Sequence, residues 1–225
     1  MNQITLLLLG AIYAVFTQNL LFSGGLGASE VVRVARRNSE MVLTSTIMSG
    51  FAATAGVLSV LATELIGRQR DNVSVLHWRY MIFSVQYPSL HYVWHAVIFA
   101  LILLVLYVLV NIIIKFVPVK IKHKPLLHKH MGMSALNTLV IGVPLLIFRR
   151  GDAQVWNMQI WSAIGWGLGA GLAFYFVTML INSGMHILQQ NKAIPPMFTG
   201  VPATLIYTGL LALAFTGFAG GGVLF

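Results

Sequence analysis

Two stretches of this chain repeat one pattern of hydrogen-bonding and helix-breaking residues. Asn19-Leu-Leu-Phe-Ser-Gly24-Gly25 and Asn137-Thr-Leu-Val-Ile-Gly142-Val143 each have an asparagine, a leucine two positions on and a glycine five positions on. Both interrupt apolar runs. Backbone groups released from a helix cannot face lipid, so such segments must be buried in protein or line a site. Asparagine supplies an acceptor oxygen and two N–H donors for the freed groups, and glycine lets two backbones approach closely. Pro144, just after Gly142, would kink the second copy further. The side-chain oxygens of Asn19, Ser29, Asn137 and Thr138 would suit a hard cation such as Na⁺, with Gly24, Gly25 and Gly142 shaping the breaks.

Other chemistry is sparse. Glu64 is the acid within or near an apolar run, and an intramembrane carboxylate is a proton or cation site by default. Its closeness to Gly67 and Arg68 also fits a structural role at the membrane boundary. His91 and His95 share a helix face but have no third ligand at useful spacing, so they read as interfacial anchors beside Tyr92 and Trp94. His123, His128 and His130 lie among lysines, whose charge disfavours metal binding; contact with anionic lipid or a partner subunit is expected there. Gly165, Gly167, Gly169 and Gly171 alternate along one run, where spacing of four favours close helix packing. No serine–histidine–acid set, phosphate-binding loop or carboxylate pair can be assembled, so no catalytic residue is assigned.

The elements that position these residues are membrane helices. The sequence of 225 residues is 58% hydrophobic and 8% charged, with a mean hydropathy of +0.84. A soluble chain carries about a quarter charged residues. Apolar runs at Ile4–Phe22, Met41–Leu65, Val93–Ile114, Met133–Phe148, Met158–Ile181 and Val201–Phe225 each approach the roughly 20 residues that cross a bilayer. The expectation is an all-α integral membrane protein of about six transmembrane helices. Because Met133–Phe148 is short, five spans and a re-entrant segment stay open. Paired interrupted segments in the first and fourth spans suggest an inverted three-plus-three repeat with two broken helices. It forms a single domain, residues 1–225, with halves at 1–117 and 118–225.

Leu76–Tyr87, rich in Trp and Tyr, reads as an interfacial segment within the connection Gly67–Leu90. No basic residue precedes Arg33, which argues against a cleaved leader and for a retained first helix. The net charge of +9 follows the positive-inside rule rather than marking a nucleic-acid binder. Segments 23–40, 115–130 and 186–199 hold nine basic residues, against five in 67–90 and 149–157. That bias places both termini outside and the richer loops in the cytoplasm. With no cysteine, disulfides and thiolate-held iron–sulfur clusters are excluded within the chain.

The order of motifs resembles the Rnf/Nqr family, the paired membrane subunits of ion-translocating electron-transport complexes. The opening break followed by Val34-Ala-Arg-Arg37, the stretch Leu136-Asn-Thr-Leu-Val-Ile-Gly142, and the tail Ile194-Pro-Pro-Met-Phe-Thr-Gly200 with Ala212-Leu-Ala-Phe-Thr-Gly-Phe-Ala-Gly220 carry the resemblance. It spans nearly the whole chain and is weakest over Gly67–Leu90. It implies six spans in an inverted repeat and two such subunits facing one another. Each would contribute two cysteines to a [2Fe–2S] cluster inside the membrane, between flavin-bearing partners.

Here the sequence departs. Ser29, in Gly27-Ala28-Ser29, and Thr138, after Asn137, stand where the resemblance implies cysteine ligands. Two readings follow. One is a subunit of an Rnf/Nqr-like complex in a prokaryotic inner membrane, a paralogue without its own cluster, with flavin and iron–sulfur groups in partner subunits. The other is a scaffold repurposed as a small ion or solute transporter or channel, using Asn19–Gly25 and Asn137–Gly142 directly with Glu64 a further pathway candidate.

Overall fold

The computed structural model describes residues 3–17, 19, 21–22, 25–68, 88–116, 124–152, 160–191, 195 and 200–218. Within those ranges, some side chains at helix ends, Glu64 and His91 among them, lie outside the description. Gly24, His123 and the expected interfacial segment Leu76–Tyr87 lie outside the described residues altogether.

Every regular element among the described residues is helical. α1 (Gln3–Ile12) runs into a π turn at Tyr13–Thr17; α2 (Ala28–Ala35) and α3 (Asn38–Arg68) follow the first break. α4 (Pro88–Phe116), α5 (Lys124–Ala135) and α6 (Thr138–Asp152) come next, the last two separated at Leu136–Asn137. α7 (Ile160–Gln190) and α8 (Val201–Phe218) complete the chain's helices. The expected all-α membrane protein is what the fold delivers.

Four segments are long and apolar enough to cross a membrane: Ser39–Ala62, His95–Phe116, His130–Ile147 and Ile160–Gln190. Gln3–Phe16 and Val201–Phe215 are apolar but shorter. The first run, expected over Ile4–Phe22, is shortened because the chain leaves helical geometry around Asn19. The segment His130–Ile147 carries the second break within it.

α7 is the central helix, packed most extensively on α3 and α1. Its glycines explain how. A Cβ on Gly165 would strike the backbone of Leu7, and one on Gly169 would lie 2.6 Å from the Ala11 carbonyl, so these two face α1. Gly167 faces the backbone of Ala53, and Gly171 faces Ser49, both on α3. The alternating glycines are thus two interleaved stripes of spacing four, one for each neighbour. Bilayers offer no hydrophobic drive between helices, so close backbone approach of this kind supplies the packing energy. Trp166 lies between the stripes, 1% exposed, with Tyr13 edge-on at 5.9 Å between ring centroids. Farther along, Gly184 admits the ring of Tyr207 from α8, whose hydroxyl donates to the Leu180 carbonyl at 3.4 Å. By contrast α4 is the most lipid-facing of the long spans, only 11% of its apolar window being buried.

Replacing Gly167 by Ala forces α3 and α7 apart and should cost about 1–3 kcal/mol. Gly50, also within a helix, has nothing within 4 Å of a Cβ. Thermal unfolding in detergent should therefore show a clear fall in Tm for Gly167→Ala and none for Gly50→Ala. Equal behaviour of the two variants would contradict this packing.

Candidate functional site

The two asparagines perform the same local task. At the first break Asn19, 3% exposed, accepts from the Leu21 N–H through Oδ1 at 3.2 Å, while the Phe22 N–H donates to its carbonyl at 3.1 Å. At the second, Asn137 Oδ1 accepts from the Leu139 N–H at 2.9 Å, and the Val140 N–H donates to its carbonyl at 3.0 Å. Each side chain satisfies an N–H two residues on, which a restarting helix leaves without an intrahelical acceptor. The leucine two positions on in the sequence pattern is the residue whose N–H is held. Asn19 does more: its Nδ2 donates to the Val15 carbonyl at 3.0 Å, inside the π turn. Such turns leave carbonyls displaced from regular helix pairing.

The breaks also touch each other. The Gly27 N–H donates to Thr138 Oγ1 at 2.9 Å, joining residues 111 positions apart. Gly27 takes a left-handed conformation, φ 78°, and a Cβ there would lie 2.9 Å from Asn137 Oδ1 and 3.3 Å from both Leu139 Cβ and Leu21 Cδ2. Both the backbone angle and the space therefore require glycine. Gly25, φ 64°, is exposed with nothing within 4 Å of a Cβ, so only its backbone angle is demanding.

Of the residues picked from sequence, Asn19, Gly25, Asn137 and Thr138 lie at the breaks, with Gly27 joining them. Ser29 sits on the first turn of α2, exposed, and lines a cleft of about 460 Å³ with Val32, Arg33, Arg36, Arg37 and Met133. Gly142 corrects the expected extent of the second break. It is buried one turn inside continuous α6, and the interruption ends before it, at Asn137. Pro144 is likewise accommodated within α6. Glu64 belongs to α3 near its C-terminal end, with its side chain outside the description.

Two histidines also depart from expectation. His95 is 3% exposed and meets Phe99 edge-on at 5.7 Å, a core contact rather than an interfacial anchor. His130, expected at a lipid or partner surface, is fully buried between α5 and α3. Its Nδ1 lies 3.4 Å from Thr44 Oγ1 and its Nε2 lies 3.9 Å from Glu40 Oε2. His128, two residues earlier, is exposed. One lysine-rich stretch thus has a wet face and a buried face.

Glu40 is the carboxylate that sequence reading missed. It accepts from Arg37 Nη1 at 3.0 Å and lies 4.0 Å from Arg33 Nη1. Arg33 also makes a two-pronged pairing with Glu30. The hydrogen bond from Glu30 is the main cause holding the Arg33 pKa above its ordinary value, against the opposing effect of burial. The signal was available: Glu30–Arg33 and Arg37–Glu40 are both spaced by three, the spacing at which opposite charges meet on a helix.

The donor set at the breaks does not fit a thiolate-held cluster. Thr138 Oγ1 already accepts from Gly27, neither Ser29 nor Thr138 offers a sulfur, and hydroxyl groups stay protonated where a cysteine ligand would ionise.

The chain is similar to the A-type subunit of the ion-translocating oxidoreductase complex of Cereibacter sphaeroides, 32% identical over 52% of this chain and 60% of that protein. The chain is a homologue of the Rnf/Nqr membrane subunits. The corresponding A-type protein of Alcanivorax borkumensis is 28% identical over 71% of this chain and 76% of the relative. That of the Na⁺-translocating ferredoxin:NAD⁺ oxidoreductase complex of Acetobacterium woodii is 31% identical over 54% and 59%. The chain spans about 60% of the length of the first of these curated relatives. No protein-family profile matches it.

Thr138→Val keeps the shape of the side chain but leaves the Gly27 N–H without its acceptor, a cost of about 1–3 kcal/mol. Thr138→Ser retains the hydroxyl. The expected outcome is a lower Tm for the valine variant and a value near wild type for serine; equal stability of valine and wild type would show that the latch contributes nothing.

Proposed function

We propose that this chain is a membrane subunit of an Rnf/Nqr-like ion-translocating electron-transport complex that holds no iron–sulfur cluster of its own. The observation that carries the proposal is the union of homology with the A-type subunits and the state of the two ligand positions. Thr138 is used as a hydrogen-bond acceptor from Gly27, and Ser29 opens to an arginine-lined cleft. Within the complex the chain supplies scaffold and a candidate ion path at the breaks, where Asn19, Gly24, Gly25, Asn137, Thr138 and Gly142 cluster in sequence and Glu64 lies on α3. Electrons then travel through partner subunits bearing flavin and iron–sulfur groups, one of them a paralogue of this chain. Na⁺ is the candidate ion, suited to the hydroxyl and amide oxygens there. The excess of basic residues in alternate loops supports both termini outside the inner membrane of a prokaryote. The repurposed transporter or channel gains nothing from the relatives, which carry the names of complex subunits.

Affinity purification from native membranes, with subunits identified and iron and flavin quantified, tests this reading. The expected result is co-purification with flavin- and iron–sulfur-bearing subunits, and iron far below stoichiometry when the chain is expressed alone. Recovery of the chain by itself, free of redox cofactors and partners, would sink the proposal. So would the optical spectrum of a [2Fe–2S] centre at one per isolated chain.

A further inference from the structure

A second gathering of polar groups lies away from the breaks, where α2 ends, α7 ends and α8 begins. A cleft of about 630 Å³ opens there, lined among others by Arg36, Asn182, His186, Gln189, Gly200 and Val201. Asn182, His186 and Gln189 fall at spacings of four and three, so they share one face of α7. Arg36 is exposed, and among the described residues no carboxylate pairs with it; Arg33 and Arg37 are matched by Glu30 and Glu40.

Helix ends bear on the sign of the site. The C-termini of α2 and α7 bring about half a negative charge each, and the N-terminus of α8 about half a positive one. The full charge of Arg36 outweighs the remainder and leaves the cleft positive. Arg36 also lines the neighbouring cleft of about 460 Å³ beside Arg33 and Arg37, so the positive surface extends past one side chain.

Depth points to the occupant. With 31 residues, α7 is about 46 Å long, against roughly 30 Å of hydrocarbon. Its last turn or so, from about His186 onward, therefore reaches the headgroup layer. From the cleft back toward the bilayer, α7 and α8 expose Met179, Leu205 and Ile206, apolar side chains along which an acyl chain can lie.

We propose that this cleft binds the phosphate of an anionic phospholipid, with Arg36 supplying the charge and Asn182 and Gln189 side-chain donors. The assignment stands independently of the electron-transport reading, since it uses neither the breaks nor any partner protein.

The test uses the full chain in phosphatidylcholine nanodiscs with increasing phosphatidylglycerol, reading Tm and, after detergent extraction, lipid retained in native mass spectra. Phosphatidylglycerol should raise Tm and be retained at one per chain. Arg36→Gln should weaken the apparent affinity about fivefold, the effect of one basic residue at a membrane surface. Lys115→Gln, which removes one exposed charge from the end of α4, should leave it unchanged. Because Arg36 also closes α2, Gln189→Ala provides a variant on another helix and should weaken binding too. Equal weakening by Arg36→Gln and Lys115→Gln would reduce the effect to diffuse surface charge and overturn the site. Unchanged affinity in Arg36→Gln and Gln189→Ala would do the same. Stabilisation by inorganic phosphate alone to the same extent would assign the cleft to a free anion instead of a lipid.

Discussion

A peptide N–H or C=O released from a helix within a bilayer has no water to bond, and leaving it unpaired costs several kcal/mol. Interrupting two membrane helices is tolerable only if each freed group finds another partner, and that requirement organises much of this fold. Asn19 and Asn137 each turn an amide oxygen onto the N–H two residues ahead. Asn19 also reaches back to the Val15 carbonyl, and Thr138 takes the Gly27 N–H from the opposite break. The cheapest arrangement brings the breaks together, because a side chain at one can then serve the backbone of the other. Gly27 makes the approach feasible, since any Cβ would collide with Asn137 and crowd Leu21 and Leu139.

Bringing two breaks into contact demands a rigid frame around them, and α7 provides it with backbone surface rather than bulky side chains. Its two glycine stripes draw in α1, which leads to the first break, and α3, which packs on both α5 and α6 beside the second. One helix thereby fixes both chains that enter the site. The charged groups extend the frame outward. Glu40 lies in the first turn of α3, where the helix field favours a carboxylate, and bonds Arg37 while lying near Arg33. Its approach to buried His130 then ties α3 to α5 just ahead of the second break.

Much of this could be read from residues alone. Composition and run length gave membrane helices, the repeated asparagine pattern located both interruptions, and the spacing of Gly165–Gly171 announced close packing. The leucine two residues after each asparagine was seen as a pattern but not as the bearer of the captured N–H, because a main-chain donor leaves no mark on residue type. Gly142 misled for the opposite reason: glycine in a buried helix signals close neighbours as readily as a break. His130 and His95 were placed outside because neighbouring lysines and aromatics suggested an interface. Helical rotation decides burial, and two residues separate exposed His128 from buried His130. The contact between Gly27 and Thr138 joins segments far apart in sequence, and nothing local in either could specify it.

The nature of that contact bears on how such a site changes chemistry without losing its shape. A cluster bound by cysteines at the positions of Ser29 and Thr138 would tie the two breaks through metal–sulfur bonds. In this chain the tie is a single neutral hydrogen bond, worth about 1 kcal/mol net. That is too little to hold two irregular segments against the entropy of ordering even one or two backbone residues. The positioning must therefore come from elsewhere: from the asparagine caps, the close seat of Gly27, and the glycine-lined frame of α7. None of these involves a thiolate. A site whose geometry is fixed by its backbone and its neighbours can exchange ligand residues for hydroxyls and keep its architecture. The two positions then diverge according to what surrounds them, Thr138 turning to the opposing backbone and Ser29 to an arginine-lined cleft.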